Sequence, residues 1–188
     1  MRLIKYCLVA ILAVLGCSFA KADGGYNIKV HIDGLADSTV YLGYYFGDKQ
    51  YVKDTLKLDK KANGVFKGDK KLEGGIYFVL VPGNTIFELM IDNEQNFSVS
   101  TKFTGDPADL TKYLKSEGSD EVKMYVDYQQ FMIKQNAIAT ELRKRSPKAK
   151  ADEKKVITDS LSLLYEEVKA RWDDIETNHQ KSLLAAVL

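Results

Sequence analysis

Cys7 and Cys17 are the only thiols in the 188-residue sequence, and His31 and His179 are its only imidazoles. Thiolates and imidazoles do most nucleophilic, redox and zinc chemistry, so their placement bounds the function early. Both cysteines fall within the first 22 residues. The body of the chain therefore has no CxxC couple, no cysteine-ligated zinc site and no internal disulfide. Neither histidine has a second histidine or a cysteine at ligand spacing, so both read as solvated surface. There is no GxSxG, HExxH, Walker loop or GxGxxG. The expectation is a chain that is not itself an enzyme, with no catalytic residue, cofactor or metal.

Aromatic residues are the densest remaining feature, with Tyr41, Tyr44, Tyr45, Phe46 and Tyr51 gathered around one expected hairpin. Tyrosine offers an apolar face and a polar tip, which suits stacking on a sugar or a peptide. The simpler reading is that alternate aromatics fill a β core, because strands favour them generally. Strand alternation leaves Tyr41 and Tyr45 on the face opposite Leu42 and Phe46. Tyr41, Tyr45 and Tyr51 are the candidate ligand-binding residues. Asp54 interrupts the apolar parity of Val52, Leu56 and Leu58, and a buried carboxylate there must be hydrogen-bonded. It reads as part of a structural network.

The N-terminal segment reads as an export signal. Arg2 and Lys5 precede a short apolar run from Tyr6 to Leu15, too short to span a bilayer. Ala20-Lys21-Ala22 before Asp23 suits ordinary signal peptidase. Val14-Leu15-Gly16-Cys17 offers a lipobox in which Cys17 is lipidated, but Leu15 is bulky where that motif usually has a small residue. Cleavage after Ala22 is favoured, and 1–22 is assigned as signal peptide. Either route exports the protein, to the periplasm or to a membrane anchor facing the periplasm or the cell surface. Residues 1–22 carry Arg2, Lys5 and Lys21 and no acid, so 24 basic residues face 26 acidic ones in the remainder, a net charge of −2. That balance argues against a nucleic-acid partner.

Between Tyr26 and Thr101 the apolar pattern has period two, broken by turn signals at Gly34–Asp37, Gly47-Asp48, Asn63-Gly64, Pro82-Gly83-Asn84 and Asp92-Asn93. Asn63-Gly64 suits a type I′ turn. Residues 23–104 are expected to form an antiparallel β-sandwich of about seven strands. The period then lengthens. Asp106-Pro107 opens a short helix running to about Glu117, and Ser119 can cap the next. Met124, Tyr128, Phe131, Gln135, Ile138 and Leu142 form one helical stripe, and Ile157, Leu161, Leu164, Val168, Trp172 and Ile175 form another. Residues 105–188 thus read as a helical linker and hairpin, with helices near 107–117, 120–143 and 151–178. Arg143–Lys150 (RKRSPKAK) reads as a solvated basic loop. The overall class is mainly β plus α. The apolar SLLAAVL tail reads as the front of a longer protein.

Several runs carry a family resemblance: YLGYYFGDKQYVKDT (41–55), NGVFKG (63–68), LEGGIYFVLVP (72–82) and FELMID (87–92). With the helices and the NHQKSLLAAVL tail, they resemble an uncharacterised N-terminal domain of exported Bacteroidetes proteins that precedes a TlpA/ResA-like thioredoxin domain. The motifs are strand-and-turn patterns, so they bear on fold and are silent on chemistry. The family's catalytic CxxC has no counterpart here. The resemblance implies a non-catalytic, partner- or substrate-binding accessory module, with a C-terminal thioredoxin-like domain of the parent protein as partner. Two other classes stand beside it. One is an independent envelope sandwich that binds glycan or peptide through the aromatic hairpin. The other is a structural protein that meets envelope proteins through its helices.

Overall fold

A computed structural model describes residues 24–188. The signal-peptide assignment and the possible lipidation of Cys17 lie outside the described residues. The order of elements is β1 (Tyr26–Asp33), β2 (Thr39–Phe46), β3 (Lys49–Lys57), β4 (Asn63–Gly68), β5 (Gly75–Val81), β6 (Thr85–Ile91), β7 (Asn96–Lys102), α1 (Pro107–Lys112), β8 (Lys115–Glu117), α2 (Asp120–Arg145), α3 (Ala151–Asn178) and α4 (Leu183–Val187). The strands form two four-stranded sheets, ordered β4-β1-β7-β8 and β3-β2-β5-β6. The expected β-plus-α class holds. The seven strands expected between residues 23 and 104 are present as β1–β7, and the described residues add an eighth, β8.

The eighth strand comes from the segment expected to be helical. Asp106 caps α1 by accepting from Ala108 N at 2.9 Å, with Pro107 in the first turn. The helix ends at Lys112, short of Glu117. Leu110 and Leu114 are both buried in the main core, and Lys115–Glu117 then pairs antiparallel with β7. Sheet edge and core together outweigh continuation of a six-residue helix. A second difference concerns direction: β1 and β7 pair parallel from Asn27↔Asn96 to Asp33↔Lys102, while every other pair is antiparallel. Of the intervening strands, β4 takes one edge of β1 and the others form the second sheet, so β7 returns to the remaining edge of β1.

The turn expected at Asn63-Gly64 lies four residues earlier. Asp59 Oδ1 accepts from the N–H groups of Lys61 and Asn63 at 2.8 and 2.9 Å, and Ala62 takes a positive φ of 58°. These local bonds satisfy the turn amides. Asn63-Gly64 consequently starts β4, opposite His31 and Val30.

Two cores result. Ile28, Val30, Ile32, Val40, Leu42, Phe66, Val79, Phe87, Leu89, Phe97 and Val99 fill the space between the sheets, as alternation requires. The outer face of the β3-β2-β5-β6 sheet is covered instead by helices, with Met90, Tyr125, Ile175 and Leu184 in a second cluster. Ser119 caps α2 as anticipated, accepting from Val122 N. α2 and α3 run as an antiparallel hairpin tied by Gln135 Nε2 to Glu167 Oε2 at 2.8 Å, Trp172 Nε1 to Tyr128 Oη at 3.1 Å and Arg145 to Glu153 at 2.9 Å. Ile138, expected on the buried stripe, is exposed, while Val122, Tyr125 and Val126 are buried. The first turns of α2 pack on the sandwich, so the burial there follows the sheet contact and the stripe serves α3 farther along. Residues 143–150, expected as a loop, instead finish α2 and form a 3-10 turn at Ser146–Lys148. Among the described residues no helix is long and apolar enough to cross a membrane.

Candidate functional site: an overhanging aromatic hairpin

β2 and β3 are joined at Gly47-Asp48, where Gly47 adopts the positive φ of 61° that a tight hairpin demands. β2 pairs with β5 only from Tyr41 to Tyr44, so its last two residues and the start of β3 overhang the sheet. The overhang carries Tyr45, 36% exposed, and Phe46, 74% exposed, and just inside it on β3 Tyr51 and Val52 are 41% and 60% exposed. Lys49, Lys53 and Lys57 line the free edge of β3, which discourages further strand pairing.

A bulge governs which aromatics meet. The β2–β3 register passes from Leu42↔Asp54 to Gly43↔Val52, leaving Lys53 without a partner strand residue. The expected parity therefore fails at this point. Val52 shares the outer face with Gly43, while Asp54 and Leu56 stay on the inner one. Tyr51 lies opposite Tyr44 and stacks on it, with ring centroids 5.5 Å apart, and Tyr77 lies 6.1 Å beyond. Tyr45 is on the other face, tilted against Phe78 at 5.2 Å. Of the three expected site residues, Tyr41 and Tyr45 share a face and Tyr51 does not. Tyr41 sits mid-strand opposite Thr55 and Leu80, half-buried and away from the tip.

Beneath Tyr45 is a carboxylate that the sequence reading passed over. Glu88 lies in the otherwise apolar β6, where Phe87, Leu89 and Ile91 face the main core and Glu88 faces the helices. It accepts from Tyr45 Oη at 2.7 Å and from Tyr125 Oη at 3.1 Å. Burial, and then the hydrogen bond to Glu88, push the Tyr45 phenol up to about 12. Burial and the Glu88 charge raise Tyr125 further still. Both phenols therefore stay neutral donors, and Glu88 ties β2, β6 and α2 together behind the hairpin. The signal available was one carboxylate interrupting the strand run TIFELMI. Asp54 has a matching role at the other face, where its Oδ2 accepts from Tyr26 Oη at 3.0 Å and its Oδ1 from Thr55 N at 2.7 Å. Burial and this Asp54 bond raise Tyr26 to about 12.

The histidines take no part. His179 caps the end of α3 and is exposed, and His31 contacts Asn63 on the other sheet. No group of three His, Cys, Asp or Glu among the described residues is placed to hold a metal ion. What the hairpin offers chemically is adhesion: a rigid apolar tip, with hydroxyl groups behind it, mounted on a braced strand pair.

The profile of a family described as Domain of unknown function (DUF4369) matches residues 26–150, from the first residue of β1 to the residue before α3. The chain belongs to the DUF4369 family. The DUF4369 match takes in both sheets, α1 and α2, and so includes the hairpin and Glu88. No curated protein matches the chain. Among solved structures it is similar to the crystal structure of (S)-allantoin synthase, at 10% identity and a TM-score of 0.37. That match covers 53% of this chain and 45% of the synthase chain, so this chain spans less than half the length of that relative.

Proposed function

We propose that this DUF4369 chain is a non-catalytic accessory module that binds a protein partner through the β2–β3 tip, within an exported thiol–disulfide oxidoreductase system. The observation that carries the reading is the exposure of Phe46 at the overhanging end of β2 and of Tyr51 beside it on the same face, with Val52 exposed on the opposite face of the hairpin. Neighbouring exposed aromatic side chains, such as Phe46 and Tyr51 on one face of the hairpin, suit an interaction site. Aromatic anchors of this kind supply much of the energy at protein interfaces. The oxidoreductase context is supported by the resemblance of the strand-and-turn motifs to domains that precede a TlpA/ResA-like thioredoxin domain, and export by the Arg2–Ala22 segment. Residues 24–188 contain no cysteine. Disulfide exchange needs an attacking thiolate, so insulin reduction by this chain should match the buffer blank.

A photoreactive phenylalanine analogue in place of Phe46, introduced in cells, tests the partner. Cross-linking to a thioredoxin-fold protein, lost on Tyr51→Ser, is the expected result. Cross-links only to unrelated proteins, or none, would overturn the oxidoreductase context. Phe46→Ser should change stability by less than about 0.5 kcal/mol, since an exposed side chain is removed.

A further inference from the structure

The outer face of the β4-β1-β7-β8 sheet carries a groove of about 540 Å³, within the usual size range for small-ligand sites. Two cross-strand rows build it. In one, Val65, Lys29, Ser98 and Glu117 lie in register across β4, β1, β7 and β8. In the next, Asn63, His31, Ser100 and Lys115 do the same. The small serines of β7 make the floor, and the long side chains of β1 and β8 rise on either side. Those flanking strands are two strand spacings apart, roughly 10 Å.

His31 is held in one orientation. Asn63 Nδ2 donates to the carbonyl of Lys61 at 3.1 Å, which turns Asn63 Oδ1 toward His31 Nδ1 at 3.0 Å. An amide oxygen only accepts, so Nδ1 is the donor to Asn63, and in the neutral ring Nε2 is the acceptor that faces the groove. Asp59, at the rim, already accepts from the N–H groups of Lys61 and Asn63 and is thereby committed to the turn.

The groove thus combines two ammonium donors, Lys29 and Lys115, with two acceptors, His31 Nε2 and the Glu117 carboxylate, over a floor of hydroxyls. Ammonium groups favour an anion, and the acceptors favour ligand hydroxyls. We propose that this groove binds a hydroxylated carboxylate of the uronic-acid class, its carboxylate on Lys29 and Lys115 and its hydroxyls on His31 and Glu117. A bare anion leaves the acceptors unpaired, and a neutral sugar leaves the lysines unused. This site is separate from the aromatic tip, and its test does not depend on the partner proposed there.

Titration of the chain, purified as its host processes it, with glucuronate, methyl glucoside and inorganic phosphate separates the alternatives, read by calorimetry and by the histidine and serine signals in NMR. Glucuronate should bind at least about tenfold more tightly than either of the others, the scale of one charge-assisted hydrogen bond. Lys115→Gln and Lys29→Gln, both at exposed positions, should each weaken glucuronate binding by about tenfold while leaving the thermal midpoint unchanged. Equal binding of phosphate or of methyl glucoside overturns the proposal. So does an absence of binding at millimolar glucuronate, or full affinity in both lysine variants.

Discussion

Replacing Gln95 with leucine should be among the most damaging single changes outside the apolar core. Gln95 is buried on the loop between β6 and β7. Its Oε1 accepts from Leu72 N at 2.7 Å, and its Nε2 donates to the carbonyls of Leu72 and Asp92, both at 2.8 Å. The side chain thus pairs with both main-chain groups of Leu72, as a strand neighbour would, and anchors the β4–β5 connection to the sandwich. Leucine has similar bulk and none of these groups. Three hydrogen bonds at a net 0.5–1.5 kcal/mol each are lost, and the stranded main-chain groups add a desolvation cost. The total comes to roughly 3–5 kcal/mol. For a domain of this size that lowers the thermal midpoint by roughly 10 °C. Urea unfolding followed by far-UV circular dichroism measures it directly. Gln95→Glu provides a graded control, because it keeps one acceptor for Leu72 N but turns a donor into a charged acceptor facing two carbonyls. Its deficit should narrow as pH falls and the new carboxyl becomes a donor again. A loss below about 1 kcal/mol for Gln95→Leu would refute the reasoning, since it would mean that the loop satisfies its own backbone without the glutamine.

Alkaline pH should weaken the fold in a defined window. Tyr26 ionises near 12 when folded and near 10 when unfolded, so the unfolded state releases its proton first and stability falls from about pH 10 to about pH 12. Tyr26→Phe should flatten that decline by on the order of 1–2 kcal/mol, and an unchanged slope in pH-dependent urea midpoints would count against the Tyr26–Asp54 bond. Gly43→Ala should also destabilise, because a Cβ at Gly43 would lie 2.2 Å from Cζ of the buried Phe78 ring. Displacing that ring should cost about 1–3 kcal/mol and alter the near-UV signal of the Tyr45–Phe78 pair, whereas a neutral result would show that the ring has room to move.

The physical division between what was legible and what was not follows the range of the forces involved. Capping is local, and Asp106-Pro107 and Ser119 announced the helix starts correctly from neighbouring residues alone. The Ile157–Ile175 stripe likewise marked α3, because a long helix repeats its apolar signal many times. The Gly47-Asp48 hairpin was legible for the same reason. At Asn63-Gly64 a favourable local motif lost to a turn organised by Asp59, which shows how a side chain four residues away can outweigh a dipeptide preference.

Nothing in the sequence places β7 parallel to β1, since strand pairing across 69 positions is decided by how the two cores close. The bulge at Lys53 was equally invisible. One unpaired residue set the faces of Tyr51 and Val52, placing Tyr51 with Tyr44 and away from Tyr41 and Tyr45. Glu88, Gln95 and the His31 groove draw their partners from distant elements: Tyr45 and Tyr125, Leu72, and strands β4, β7 and β8. The sequence alone determined that residues 24–188 carry no thiol chemistry, that strands precede helices and that aromatics crowd one hairpin. Which aromatics reach solvent, and which polar groups stand together, was decided only when the sheets and helices packed, because those contacts depend on register and not on spacing along the chain.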